Sequence, residues 1–506
     1  MRRAMIAVLL VCLLAVCMAG CKKAPADDGE PYAQNVQDKD FSSLRTAGSQ
    51  EEAYDYRYFF RPEKDGLNQP YVGDVMPYYE DGVYYLYYLK EGGDSYNHSI
   101  YLATTTDFLT YKEYDDPVLE ASRSGGQDGW TGTGDIVKVG DTYYLFYTGH
   151  ASSNTYEYME KVMLAKGTSL TSFEKVEGWE ITPPDSLGQK NDFRDPQGIY
   201  DPETGTIQMM ITASQGNVAR ILRYTLSADL KEVTYEGILF TDPISQFWNL
   251  ECSDLFCIDG TYYLTYSGQD DTLWYSTAPS ATGPFETAVR VDGKLFYAAR
   301  HVQGADGDYM AGWVRRSESP SSTQEVSAWG GNMGVQKIVR KDDGTLVLAP
   351  VDTVAGAISQ RRKLPLKQDS VTVEGGARYT YEEAFTAYEC FKLTGTFTYT
   401  GTGAFGLALD YNGQAGKYKL IMIDPAEQKL KLSFNEGTTP ITETACALEA
   451  GKTYSFTYIQ EGSVGIFYVD GEASLTVRVY GVSGKSIRLF AGNNKVTFAS
   501  LREYTR

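Results

Sequence analysis

Asp81-Gly82-Val83-Tyr84-Tyr85-Leu86-Tyr87-Tyr88 decides how this chain is read: an Asp-Gly turn runs into a strand of aromatic and β-branched residues. The pattern returns as Gly140-Asp141-Thr142-Tyr143-Tyr144-Leu145-Phe146-Tyr147 and as Asp259-Gly260-Thr261-Tyr262-Tyr263-Leu264-Thr265-Tyr266. Tyr143 lies 59 residues after Tyr84, and Tyr262 a further 119, close to two periods. Thr206-Ile207-Gln208-Met209-Met210-Ile211-Thr212 fills the gap, and Asp306-Gly307-Asp308-Tyr309-Met310-Ala311-Gly312-Trp313 supplies a fifth copy. Each period accommodates about four short strands, which is one propeller blade. The expectation is an all-β chain whose residues 54–355 form a five-bladed β-propeller. No long helical periodicity separates the strands, which excludes a parallel α/β arrangement.

From residue 366 the texture changes. Phe397-Thr398-Tyr399-Thr400, Lys417-Tyr418-Lys419-Leu420-Ile421-Met422-Ile423 and Ser486-Ile487-Arg488-Leu489-Phe490 sit among Gly, Asn and Asp turns. This predicts a β-sandwich over 366–506, with Asp352 to Gln368 as the connection.

Composition agrees with β-structure: 40 Tyr, 21 Phe and 50 Gly in 506 residues. The net charge of −20 repels phosphate backbones, so nucleic acid is excluded as a partner, whereas a neutral glycan is indifferent to it. Three histidines, His98, His150 and His301, leave little room for a multi-His metal site, and no metal or cofactor is expected.

Arg2 and Arg3 precede a short apolar run from Met5 to Met18, which ends in Met18-Ala19-Gly20-Cys21. This resembles a bacterial lipobox and predicts a signal peptide over 1–20, with lipid on Cys21; the alternative is an ordinary secretory signal in which Cys21 is incidental. Residues 21–53 have few large apolar side chains and read as a flexible tether. The expected location is extracytoplasmic, on a bacterial membrane through the lipid alone. After Cys21 only Cys252, Cys257, Cys390 and Cys446 remain, which is no disulfide framework.

Three acidic motifs precede repeat strands in three blades. Gly73-Asp74-Val75-Met76-Pro77 lies about ten residues before the first, Arg194-Asp195-Pro196 a similar distance before the third, and Glu251-Cys252-Ser253-Asp254 before the fourth. Singly, an Asp beside Gly or Pro is a turn former. In register, three carboxylates converge on one axial pocket and raise one another's pKa, as a division between nucleophile and acid requires.

In these motifs the chain resembles glycoside hydrolase family 32, the β-fructofuranosidases. Arg194-Asp195-Pro196 and Glu251-Cys252 match that family's motifs in order. Trp130-Thr131-Gly132-Thr133 is similar to its Phe-Ser-Gly-Ser stretch, which lines the sugar pocket, and Asn97-His98 stands where it has Gly-His. Ala328-Trp329-Gly330 and Asp342-Asp343-Gly344-Thr345-Leu346 look like its last blade. Val469-Asp470-Gly471-Glu472 and Arg488-Leu489-Phe490 look like its sandwich.

The resemblance implies Asp74 as nucleophile, Glu251 as acid/base and Asp195 as transition-state stabiliser. Arg194, His98, Thr131 and Gly132 would bind substrate; Trp130, Trp248, Trp313 and Trp329 are candidate stacking platforms for sugar rings, with plain core packing as the alternative for each. It also implies retaining hydrolysis of β-fructosidic bonds in sucrose, fructo-oligosaccharides, inulin or levan. Gly73-Asp74-Val75 departs from the family's Asn-Asp-Pro, and Leu89 replaces a Gln, so two amide side chains are missing. The rival readings are an inverting arabinanase- or xylosidase-like five-bladed glycosidase, a levan-building fructosyltransferase, and a surface lipoprotein that binds glycan without cleaving it.

Overall fold

The computed structural model describes residues 54–63, 69–91, 98–122, 125–153, 155–243, 246–316, 328–366, 368–386, 389–411, 418–479 and 486–506. The predicted signal, Cys21 and the tether lie outside the described residues, as does Asn97.

Five antiparallel blades follow one another. Blade one is β1 (Tyr71–Glu80), β2 (Val83–Glu91), β3 (Ile100–Thr105) and β4 (Lys112–Glu113). Blade two is β5 (Trp130–Val139), β6 (Thr142–His150), β7 (Glu160–Ser169) and β8 (Ser172–Ile181). Blade three is β9 (Phe193–Asp201), β10 (Thr206–Gln215), β11 (Val218–Ser227) and β12 (Val233–Thr241). Blade four is β13 (Glu251–Ile258), β14 (Thr261–Ser267), β15 (Leu273–Ala278) and β16 (Glu286–Arg290). Blade five is β17 (Phe296–Gln303), β18 (Asp308–Arg316), β19 (Ala328–Arg340) and β20 (Leu346–Ala349). The aromatic repeat is the second strand of each blade. The Asp-Gly pairs form its turn because both residues take positive φ, 51° and 87° at Asp81-Gly82 and 48° and 79° at Asp259-Gly260.

The first strands surround the axis: β1 touches β5, β5 touches β9, β9 touches β13, β13 touches β17, and β17 returns to β1. A Val72–Gly331 bridge between β1 and β19 joins the first and last blades. Every axial strand carries a bulge at the same level. The pairing slips between Gly73 and Met76 in β1, Gly132 and Gly134 in β5, Arg194 and Gln197 in β9, Glu251 and Asp254 in β13, and Tyr297 and Arg300 in β17. Such a bulge leaves residues unpaired and re-aims their side chains.

After α1 (Asp352–Ala357), β21 (Gln360–Arg362) pairs with the C-terminal β33 (Asn494–Thr505), so the second domain reaches back into the segment read as the connection. One sheet orders β21, β33, β24 (Cys390–Tyr399), β29 (Thr453–Glu461), β30 (Val464–Val469) and β31 (Ala473–Arg478), with β22 (Ser370–Gly375) also on β33. The other orders β23 (Thr380–Thr386), β32 (Ser486–Ala491), β25 (Phe405–Leu409), β26 (Lys419–Asp424), β27 (Lys429–Phe434) and β28 (Thr442–Ala445). Phe391, Leu393, Leu407, Leu430, Leu475 and Leu489 belong to one buried core between the two sheets.

Polar contacts fasten sandwich to propeller. Arg478, 1% exposed, donates to the carbonyls of Val314 and Arg315, to Asn332 and to the Ser463 hydroxyl. Buried Asp292 accepts from the Thr476 amide at 2.8 Å and its hydroxyl at 2.9 Å. Glu461 accepts the backbone amides of Arg57, Tyr58 and Phe59, tying the segment before blade one to the sandwich.

Candidate active site

The three acids of the sequence motifs lie on the axial bulges. Asp74 and Asp195 occupy those of β1 and β9, and Glu251 is the last paired residue before that of β13. Asp195 and Cys252 adopt φ of 55° and 52°, a conformation costly for non-glycine residues and held here by the surrounding contacts.

Asp74 is partly exposed at the axis. Its Oδ2 accepts the Thr133 hydroxyl at 2.7 Å and its Oδ1 the Trp313 indole N–H at 3.1 Å. Burial raises its pKa and the nearby Glu251 charge adds to this, while the Thr133 and Trp313 hydrogen bonds and the His98 charge act downward.

Asp195 is buried, and its Oδ2 accepts the Cys252 amide at 2.8 Å. Burial lifts it to about 6 against the pull of Arg194, with Asp74 and Glu251 pushing the same way as burial.

Glu251 is gripped on both oxygens: Arg194 Nη2 donates to Oε1 at 2.8 Å and the Tyr297 hydroxyl donates to Oε2. Arg194 is itself fixed by Glu160 at 3.2 Å and Asp192 at 3.4 Å, and stands over the Trp248 ring at 5.3 Å. Burial alone would raise Glu160; Arg194, His150 and the Phe193 amide outweigh it and hold the carboxyl at about 2. The positive charge of Arg194 is therefore shared among Glu160, Asp192 and Glu251.

Around the acids runs a chain of rings. His98 stacks on Trp329 at 4.5 Å and 8°, and meets Trp130 edge-on at 5.2 Å. Trp313 lies 5.6 Å from Trp329 and 5.5 Å from Tyr297. Trp130 and Trp248, 44% and 43% exposed, offer open ring surface at the rim.

Three of the residues expected at the sugar pocket are buried. Trp313 is fully buried, so it presents no face to a sugar and instead orients Asp74. Thr131 is fully buried too, with its hydroxyl donated to the His98 carbonyl, and Gly132 packs beside His150. Both are buried on β5 next to the exposed Trp130. Cys252 is a buried thiol pushed well above its ordinary pKa by burial, 3.6 Å from the Thr133 hydroxyl, and is no nucleophile.

Sequence reasoning did not single out Tyr297, Glu160 or Asp192, which hold Glu251 and Arg194. Glu160 and Asp192 belong to no repeated motif. The Phe296-Tyr297 pair ahead of the fifth repeat was the one available signal for Tyr297.

The description "Glycosyl hydrolases family 32 N-terminal domain" matches residues 59–350. A sucrose-6-phosphate hydrolase of Escherichia coli is 24% identical over 400 residues, covering 74% of this chain and 79% of that protein. A raffinose invertase of the same organism is 26% identical over 435 residues, covering 79% and 85%. Among solved structures, the β-fructofuranosidase of Aspergillus kawachii superposes with a TM-score of 0.71 at 15% identity, covering 93% of this chain and 97% of that one.

Proposed function

The chain belongs to glycosyl hydrolase family 32 and is a glycoside hydrolase of the β-fructosidase type, and from the arrangement of its axial acids we propose a retaining hydrolysis of neutral β-fructosides. The observation that carries this reading is the tying of three carboxylates from three blades into one contact network, through Thr133 to Asp74, the Cys252 amide to Asp195, and Arg194 to Glu251.

Asp74 attacks C2 of the fructosyl unit, forming a C2–Oδ bond as the glycosidic bond breaks. Glu251 delivers a proton to the leaving oxygen. Water deprotonated by Glu251 then attacks C2, breaks the ester to Asp74 and releases fructose. Asp195 and Arg194 hold the fructosyl hydroxyls as charge builds at C2, so their contacts strengthen in the transition state. A neutral rather than phosphorylated substrate is favoured because the guanidiniums around the acids are already engaged, Arg194 as above, Arg300 with backbone carbonyls, and Arg315, over the Tyr297 ring, with Asp271.

Location is part of the same proposal: the N-terminal pattern up to Cys21 supports a lipid-anchored enzyme outside the cytoplasm, and a tether of about 30 residues spans roughly 30 Å as a flexible chain. If so, Cys21→Ala leaves the membrane fraction. The activity is tested by fructose release from sucrose, inulin and levan by the purified chain. Wild type releases fructose from at least one of them, and Asp74→Asn loses roughly 10²–10⁴-fold; the absence of fructose from all three contradicts the reading.

A further inference from the structure

Beneath the acids a single side chain crosses the propeller axis. Arg300 follows the β17 bulge and is 2% exposed. Its Nη1 donates to the Gly134 carbonyl at 2.6 Å and the Pro196 carbonyl at 3.4 Å, and its Nη2 to the Asp195 carbonyl at 3.2 Å. One residue of blade five thus ties down the bulges of blades two and three. Those bulges carry the two side chains that matter above: Gly134 follows Thr133, which holds Asp74, and Asp195 lies beside the Arg194–Glu251 pair. Below is a cavity of about 210 Å³, whose lining includes Arg300, Asp135, Gln197, Asp254 and His301. The Asp135 and Asp254 carboxylates feel the Arg300 charge, so the buried cation has counter-charge close by.

We propose that Arg300 is a positioning residue for hydrolysis, a planar fork that holds the backbone of two bulges so that Asp74, through Thr133, and Asp195 meet the reacting fructosyl unit in register. Three carbonyls at fixed angles suit a guanidinium, whereas an ammonium is a point charge on a flexible stem. The inference rests on the reading of Asp74 and Asp195 given above. Because Arg300 lies behind the acids, its loss displaces groups that act in the transition state and leaves the mouth of the pocket alone. Displacement of this kind by about 1 Å costs on the order of 10²-fold in rate.

The test uses the full chain with Arg300→Ala and Arg300→Lys, turning over whichever of sucrose, inulin or levan wild type cleaves fastest. Arg300→Ala is expected to lower kcat roughly 10²-fold with little change in KM. Low concentrations of guanidinium, entering through the cavity beneath, are expected to restore part of that rate saturably, and equal urea is not. Arg300→Lys, with a thermal midpoint near wild type, is expected to lose rate as well. Wild-type kcat in folded Arg300→Lys, or an Arg300→Ala variant indifferent to guanidinium, overturns the inference. Absence of turnover by wild type on every fructoside overturns the functional reading and this inference with it.

Discussion

The indole of Trp329 lies where a side chain on residue 73 would begin: a Cβ on Gly73 would fall 1.8 Å from its Cη2 and 2.4 Å from its Cζ2. The Gly-Asp-Val departure in the first acidic motif therefore has a structural counterpart. Without a side chain at 73, the ring enters beside Asp74 and stacks on His98. The wall next to Asp74 is aromatic.

Gly73→Ala must push that ring aside. Overpacking of this kind costs about 1–3 kcal/mol, and the shift disturbs the His98 stack next to Asp74, so kcat/KM falls about tenfold or more. Trp329→Ala removes the obstacle. Adding Gly73→Ala to Trp329→Ala should then change neither thermal midpoint nor kcat/KM further, which a double-mutant cycle measures.

Trp313→Phe keeps an aromatic ring but removes the N–H donated to Asp74. That hydrogen bond acts to lower the Asp74 pKa, so its loss raises it. Less of the carboxylate is then available in acid, and the acidic limb of the kcat/KM profile moves to higher pH. A profile that shifts down, or stays in place, contradicts the contact's role.

Activity and stability should part company in acid. Asp195 has a folded pKa of about 6, above its ordinary value, so the folded chain binds its proton more tightly than the unfolded chain. Its ionisation destabilises the fold; the penalty is full above about pH 6 and disappears as pH falls towards the ordinary carboxylate range. Glu160, held at about 2, acts in the opposite sense at still lower pH. Asp195→Asn should flatten the dependence of the thermal midpoint on pH between about 4 and 6 while losing most activity, and parallel calorimetry and assays read both.

Arg478→Ala should uncouple the two domains. It leaves the Val314 and Arg315 carbonyls, Asn332 and Ser463 without their shared donor. Buried unsatisfied groups cost about 1–3 kcal/mol each, so a loss above about 3 kcal/mol is expected. Denaturant unfolding should separate into two transitions where wild type shows one.

Much of this architecture is legible because local chemistry repeats. Asp81-Gly82 and Asp259-Gly260 announce hairpins through a conformation that few other pairs adopt, and the acids stand at a constant offset from the strands those turns begin. The bulges are not legible. Asp195, Cys252 and Ala298 take positive φ without being glycine, under tertiary constraints that no local pattern records. The same holds for Trp313, whose burial depends on packing between blades, and for Glu160 and Tyr297, which reach the site from outside the repeated motifs. Gln360–Arg362 is a strand only because the C-terminus pairs with it, and its three exposed polar residues carry no alternation.

The central claim is that Asp74 forms a bond to the sugar, and trapping that bond tests it most directly. Glu251→Gln with a β-fructofuranoside bearing a good leaving group, quenched and digested, should yield the Asp74 peptide heavier by one fructosyl unit. Wild type with methanol as acceptor should give the β-fructoside with configuration retained. An unmodified Asp74 peptide together with the inverted methyl fructoside would contradict the account.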